Sequence, residues 1–269
     1  MAAATSRIDV ALVERRLARS RTRAAQLLSS GRVTVDGHPV TKPSLRVGRD
    51  AVLGVTGDAD HWVGRAAGKL VAAFDAFALT AEGRRCLDIG ACTGGFTQVL
   101  LEHGAGHVIA LDVGHDQLAP EIAADPRVED RSGTTVRGLT PEDLGGPVDL
   151  AVGDLSFISL RLVLEEIAGL LTDEGEAVLL VKPQFEVGRG RLGRRGVVTS
   201  AGARARALEG VLARAAEVGL AVTDLARSPV RGGEGNHEYL IHLSRRSGVG
   251  MTWQAQQVMF DDLAQEVDS

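Results

Sequence analysis

The chain has 269 residues, 44% of them hydrophobic and 24% charged, the balance of a soluble globular protein of one large or two smaller domains. No apolar run approaches the roughly 20 residues that cross a bilayer. The N-terminal MAAATSRIDV lacks the apolar centre of a secretory signal, so the cytoplasm is the expected compartment. Two cysteines, Cys86 and Cys92, make neither a disulfide framework nor a four-ligand zinc site, and no metal is expected. The net charge of −5 hides an asymmetry: residues 1–50 hold ten Lys/Arg against four Asp/Glu, a +6 head on a −11 body. Such a head meets phosphates, and the acidic body does something else.

In chain order, Asp9–Ala18 places Val10, Leu12, Val13 and Leu17 at helical spacing. Ser20 reads as the N-cap of a second helix, Arg21–Leu28, closed by Gly31. Residues 33–40, VTVDGHPV, alternate as a hairpin with Asp36–Gly37 at its turn. Two short helices and a hairpin form a small α+β unit. Arg15, Arg16, Arg19, Arg21 and Arg23 gather at the helix junction with almost no acidic partners, which predicts a phosphate-contact face.

This head resembles the RNA-binding domain of the ribosomal-protein-S-four type. The resemblance rests on Arg7–Asp9, Leu17–Arg21, Ala25, Gly31, Val33–Val35, Gly37 and Lys42–Ser44. It implies a structured RNA partner and adds Arg7 and Lys42 to the contact residues.

From about Ala66 the pattern changes. Arg85–Ile89, His107–Val113, Val148–Val152 and Ala177–Val181 read as strands, with helices at Gly95–Glu102, Leu160–Leu171 and Arg204–Val218. That alternation predicts an α/β domain whose parallel sheet is covered by helices and binds ligands at the carboxyl ends of its strands. The loop Asp88-Ile-Gly90-Ala91-Cys92-Thr93-Gly94-Gly95-Phe96 follows the first strand, and its spacing departs from the G-x-G-x-x-G dinucleotide fingerprint. Asp112 ends the second strand, where a carboxylate grips ribose hydroxyls. A carboxylate-lined loop without a phosphate cradle suits S-adenosylmethionine better than NAD. The cofactor-binding candidates are therefore Asp88, Gly90, Ala91, Thr93, Gly94, Gly95, Phe96, Asp112, Val113 and Asp154. Lys69 ahead of the first strand, Asp154 and Lys182 just past two others, and Glu238 opening a late strand should converge on the same crevice.

The body resembles the FtsJ-type ribose 2′-O-methyltransferases, and the whole chain, to about Leu243, resembles the TlyA family, early described as haemolysins. The carrying motifs are DIGACTGGFT, ALDVG, RGLTPE, DLSFISL, VKPQFEVG and SPVRGGEGNHEYL. The resemblance implies a Rossmann-like methyltransferase with a mostly parallel seven-stranded sheet, and a catalytic tetrad falling on Lys69, Asp154, Lys182 and Glu238. It also implies ribosomal RNA as partner, with a cytidine 2′-hydroxyl of the large subunit, and in some members of the small subunit, as acceptor. The organisation expected is an RNA-binding domain at 6–58, a linker at 59–66, a methyltransferase domain at 67–246 and a C-terminal tail at 247–269. Ala66 and Ala67 stand where the family pattern carries glycine; were a positive φ required there, alanine would displace Lys69.

A ribose hydroxyl is a weak nucleophile, so a base must take its proton as it attacks a sulfonium methyl. Lys182 is the expected base, with its proton made easier to lose by Lys69 nearby and by partial burial. Asp154 would orient that base, and Glu238 would hold Lys69 or the ribose. Two other readings compete: a ribosome-binding assembly factor without turnover, and a membrane-lysing protein, which the lack of an apolar span opposes.

Overall fold

The computed structural model describes residues 5–15, 17–18, 21–29, 31–55, 61–188, 192–193 and 196–265. It divides into two compact units, Met1–Val63 and Gly64–Ser269.

The first unit runs β1 (Thr5–Arg7), α1 (Ile8–Glu14), α2 (Arg21–Ser29), β2 (Val33–Val35), β3 (His38–Val40), β4 (Arg46–Gly48) and β5 (Leu53–Val55). Ile8, Leu12, Ala24, Leu27, Leu28, Val33 and Val47 close its small core. The expected hairpin is present, with Asp36 and Gly37 both at positive φ in its turn. β2 lies between β3 and β5, while β1 pairs with β4. The first helix stops earlier than Asp9–Ala18: it ends at Glu14 with Arg15 as its C-cap, and the backbone N–H groups of Leu17 and Ala18 turn back onto the Leu12 carbonyl. Ser20 and its expected capping role lie outside the described residues.

The second unit continues with α3 (Ala67–Phe77), β6 (Arg85–Ile89), α4 (Gly95–Glu102), β7 (His107–Asp112), α5 (Pro120–Ala123) and β8 (Val128–Ser132). Then come β9 (Val148–Gly153), α6 (Leu164–Leu170), β10 (Leu171–Val181), α7 (Pro183–Glu186), α8 (Ala201–Glu217), β11 (Ala221–Arg227), β12 (Tyr239–Ser244) and α9 (Trp253–Gln265). One seven-stranded sheet has the order β11-β12-β10-β9-β6-β7-β8. Its strands from β10 to β8 are parallel, and β12 runs antiparallel to both neighbours. From β6 the chain builds outward through β7 and β8, then crosses back to place β9 on the other side of β6. Strand order reverses there, and a crevice opens beyond the carboxyl ends of β6 and β9.

One helix of this unit differs from expectation. The helix foreseen at Leu160–Leu171 is a single 3-10 turn, a break at Val163 (φ −130°) and then α6, and Leu171 already belongs to β10. The C-terminal segment from 247 on carries the helix α9. α9 buries Phe260 in the main core, with Met259 and Leu263 packed beside it.

Candidate active site

The glycine loop turns sharply after β6, with φ of 85° at Gly90 and 89° at Gly94. A β-carbon on Gly90 would come within 3.4 Å of the Asp154 carbonyl oxygen, so glycine lets two strand ends approach closely. The Asp112 carboxylate braces this loop: its oxygens accept from the backbone N–H of Cys92 (2.9 Å) and of Gly114 (2.8 Å). Asp88 lies beneath, wholly buried, accepting from the Thr97 hydroxyl at 2.7 Å. Burial pushes its carboxyl up to about 7, and its other oxygen has no hydrogen-bond partner among the described residues.

At the carboxyl edge the four ionisable side chains meet. Lys69 Nζ donates to Asp154 Oδ2 at 3.0 Å and to Glu238 Oε2 at 2.6 Å. Lys182 Nζ lies 2.7 Å from Asp154 Oδ1 and donates to the Ser156 hydroxyl at 2.7 Å and the Asp154 carbonyl at 3.3 Å. Lys69, Lys182 and Glu238 are all buried. Burial pushes the Asp154 carboxyl up, but Lys182 and Lys69 outweigh it and hold the group below its ordinary range. Each partner arrives from a different element: Lys69 from the first turn of α3, Asp154 from the end of β9, Lys182 from the end of β10 and Glu238 from the start of β12. Ala66 sits at φ −63° and Ala67 opens α3, so the two alanines place Lys69 without a positive φ.

Three cavities surround this cluster. One of about 330 Å³ is lined by Gly64–Ala66, Lys69, the glycine loop, Lys182 and Glu238. A second, of about 430 Å³, runs from Asp112 and Val113 past Thr134–Val136 to Leu155–Ile158, and shares Gly90, Cys92, Asp154 and Ser156 with the first. A third, of about 680 Å³, shares Ser156, Lys182 and Glu238 with the first and is walled by Phe157 and Phe185. Of the cofactor candidates, Gly90, Ala91, Thr93, Gly95, Phe96 and Asp154 line the first cavity, and Asp112 and Val113 the second. Asp88 and Gly94 line neither; they shape the loop from behind. Sequence reasoning passed over Ser156, Phe157, Thr134 and Gln117. It also passed over a signal for the lysines: of 30 basic residues, only Lys42, Lys69 and Lys182 are lysine.

The basic residues of the first unit divide differently from expectation. Arg7 and Arg21 both donate to Asp9, at 2.9 and 3.0 Å in their nearest contacts, so the cluster does have an acidic partner. Hydrogen bonding to Arg7 above all holds the Asp9 carboxyl down at about 2. Arg15 is spent on the backbone, donating to the carbonyls of Gly48 (3.1 Å), Arg49 (3.0 Å) and Ala51. Arg7, Arg21 and Lys42 are exposed, and Arg23 is half-buried. Arg16 and Arg19 lie outside the described residues.

A Rossmann-like sheet with a Lys–Asp–Lys–Glu cluster at its carboxyl edge defines a methyltransferase of the FtsJ-like class, and the FtsJ-like methyltransferase family model matches residues 62–245. The S4 domain model matches residues 6–53. A 16S/23S rRNA (cytidine-2′-O)-methyltransferase TlyA of Mycobacterium tuberculosis is 50% identical over 88% of this chain and 89% of its own. A 23S rRNA (cytidine-2′-O)-methyltransferase TlyA of Campylobacter jejuni is 35% identical over 67% of this chain and 70% of its own. The solved structure of a hemolysin-named protein from Streptococcus thermophilus superposes with a TM-score of 0.76 at 35% identity, covering 98% of this chain and 96% of that one. The chain belongs to the TlyA family.

Proposed function

We propose that this protein transfers a methyl group from S-adenosylmethionine to the 2′-hydroxyl of a cytidine in ribosomal RNA, in the large subunit and also in the small. The observation that carries the reading is the ion-paired chain Glu238–Lys69–Asp154–Lys182 at the strand-order reversal. The names of the tuberculosis and Campylobacter relatives support cytidine and the subunits. The S4-matching unit, with Arg7, Arg21 and Lys42 exposed, supports RNA as partner, and such a substrate puts the enzyme in the cytoplasm. We read Arg15 as scaffold and keep Arg16, Arg19 and Arg23 as candidate phosphate contacts.

The crevice fits the cofactor. Asp112 faces the second cavity with an acceptor for ribose hydroxyls, and Val113, Val136, Leu155 and Ile158 offer apolar walls for a purine. Asp154 Oδ1 is buried against Lys182 Nζ at 2.7 Å, so a neutral Lys182 would leave this carboxylate oxygen to face a cationic ligand. Bound S-adenosylmethionine would supply an electrophilic methyl on a positively charged sulfur. With all four groups ionised, Lys69, Asp154, Lys182 and Glu238 carry no net charge. Loss of one proton from Lys182 leaves the cluster net negative beside the crevice, the complement of a sulfonium. Lys182 Nζ then takes the proton of the attacking hydroxyl, Asp154 fixes its direction, and Glu238 keeps Lys69 against Asp154. The third cavity brings the acceptor to Lys182. Phe157, 92% exposed and tilted against Phe185 at 5.4 Å, is a shelf for its base.

The test is methyl transfer from labelled S-adenosylmethionine to isolated ribosomal subunits, with the modified nucleotide mapped. Label should enter cytidine 2′-oxygens with the parent and not with Lys182→Ala. Absence of transfer to either subunit, or a Lys182→Ala variant as active as the parent, would overturn the reading.

A further inference from the structure

Lys182 Nζ is surrounded by three oxygens: Asp154 Oδ1, the Asp154 carbonyl and Ser156 Oγ. An ammonium offers three donors, whereas a neutral amine offers two and a lone pair. The carboxylate and the carbonyl can only accept. The hydroxyl alone can either accept or donate, so it alone can follow the lysine through a change of protonation without losing its hydrogen bond. Lys182 is only 7% exposed, which restricts water from taking that place. Ser156 is exposed and borders all three cavities, so it sits where the cofactor crevice and the acceptor cavity meet beside the base.

We propose that Ser156 is the positioning residue for Lys182, accepting from its ammonium and donating to the lone pair of its neutral amine, so that this lone pair is held on the crevice side until the acceptor hydroxyl displaces the serine from it. The order of events follows. With the amine neutral, Ser156 Oγ–H points to Nζ. An arriving hydroxyl takes over that lone pair and Ser156 turns its proton to solvent. When the acceptor's proton passes to Nζ, the new N–H points at the acceptor oxygen, and once the methylated product has left it turns back onto Ser156 Oγ. One proton leaves the acceptor oxygen and one N–H bond forms, with Ser156 ending with the proton it began with.

The inference rests on the proposed 2′-O-methyl transfer, and its test separates the two. Ser156→Ala and Ser156→Thr are compared with the parent and Lys182→Ala on ribosomal subunits. A general base held out of line loses part of its roughly 10²–10⁴-fold contribution, so Ser156→Ala should lower kcat about tenfold. Its cofactor Kd and RNA KM should stay within about twofold, and Ser156→Thr, which keeps the hydroxyl, should recover kcat to within about threefold. An inactive parent would overturn the functional reading itself. An active parent with an unaffected Ser156→Ala, or a Ser156→Thr as slow as Ala, would overturn the role of Ser156. A second readout needs no turnover. With lysines confined to three positions, a 13C-lysine-labelled sample gives few enough signals to assign. Ser156→Ala should move the Lys182 Cε signal and leave Lys69 in place; an unmoved Lys182 signal would overturn the contact.

Discussion

Val181 and Tyr239 are register partners across the antiparallel pair β10/β12. Lys182 follows the first and Glu238 precedes the second, so two residues 56 positions apart leave the sheet at one edge. Lys69 then bridges Glu238 to Asp154, and the two lysines differ in what they hold together. Lys69 lies between two carboxylates at 3.0 and 2.6 Å, whereas Lys182 faces only one.

Removing Lys69 therefore leaves the buried Glu238 without its counter-charge and Asp154 with Lys182 alone. Breaking a buried pair costs about 3–5 kcal/mol, and Lys69→Met should lose stability of that order in urea unfolding. Lys182→Met leaves Asp154 still paired to Lys69 and should cost less than half as much. Both variants should be inactive in methyl transfer. Equal destabilisation by the two would contradict the bridging role of Lys69.

Asp88 makes a second prediction, on pH. Its carboxyl is pushed from 3.8 up to about 7 chiefly by burial. The folded chain thus binds this proton more tightly than the unfolded chain. Its contribution to stability is complete below about pH 4, declines as pH rises toward about 7, and is flat above. The span corresponds to about 4 kcal/mol at most. Asp88→Asn keeps an acceptor for the Thr97 hydroxyl and cannot ionise, so its unfolding free energy should lack that decline. Denaturant midpoints of parent and variant between pH 4 and 8 provide the check. Parallel curves would show that Asp88 does not titrate in this window.

Much of this site was legible because of how α/β sheets are built. Buried parallel strands read as apolar runs, and the residue just past each run must lie at the carboxyl edge, which located Asp112, Asp154 and Lys182. Glu238 and Lys69 were placed there only by standing ahead of a strand, and their roles came from the family resemblance, since nothing local shows that β12 runs antiparallel or that α3 points its first turn at the crevice. Ser156 was invisible because its importance lies in a contact 26 residues away. In the head, helical spacing and the hairpin around Asp36–Gly37 were readable, but β1, β4 and β5 are only three residues long and carry no strong local pattern. Charge counting could not show that Arg15 folds back on carbonyls or that Arg7 and Arg21 share Asp9, because counting cannot tell where a guanidinium points.

Phe157 combines exposure with a positive φ of 65°, a conformation that costs a non-glycine residue about 1 kcal/mol or more. A large apolar ring held there against Phe185 is explained by an incoming base, since stacking is worth about 1–3 kcal/mol per base. Phe157→Ala should raise the RNA KM or lower kcat/KM about tenfold or more. Cofactor affinity, measured by calorimetry, should stay within twofold, and thermal stability should not fall. A loss of cofactor binding instead would assign the ring to the second cavity, which it also borders.

The head supplies the last prediction, by contrasting two arginines that look alike in the sequence. Arg21 has a side chain 63% exposed and shares Asp9 with Arg7, so two guanidiniums face one carboxylate and keep a surplus positive charge at the surface. A phosphate contact of this kind gives salt-dependent affinity, with the slope of log K against log salt changing by about 0.7–0.9 per contact. Arg21→Ala should therefore weaken RNA binding and flatten that slope by nearly one unit, with little effect on unfolding. Arg15 donates instead to three carbonyls of the β4–β5 turn, from Gly48 to Ala51. Its removal orphans acceptors that each stabilise the unit by about 1 kcal/mol. Arg15→Ala should lower the stability of the first unit by about 2–3 kcal/mol, and at temperatures where the unit stays folded it should leave the salt slope unchanged. Filter binding of ribosomal RNA across 50–300 mM salt, beside thermal unfolding of each variant, separates the two. A flattened slope for Arg15→Ala would mean that its guanidinium leaves the carbonyls for a phosphate when RNA is bound.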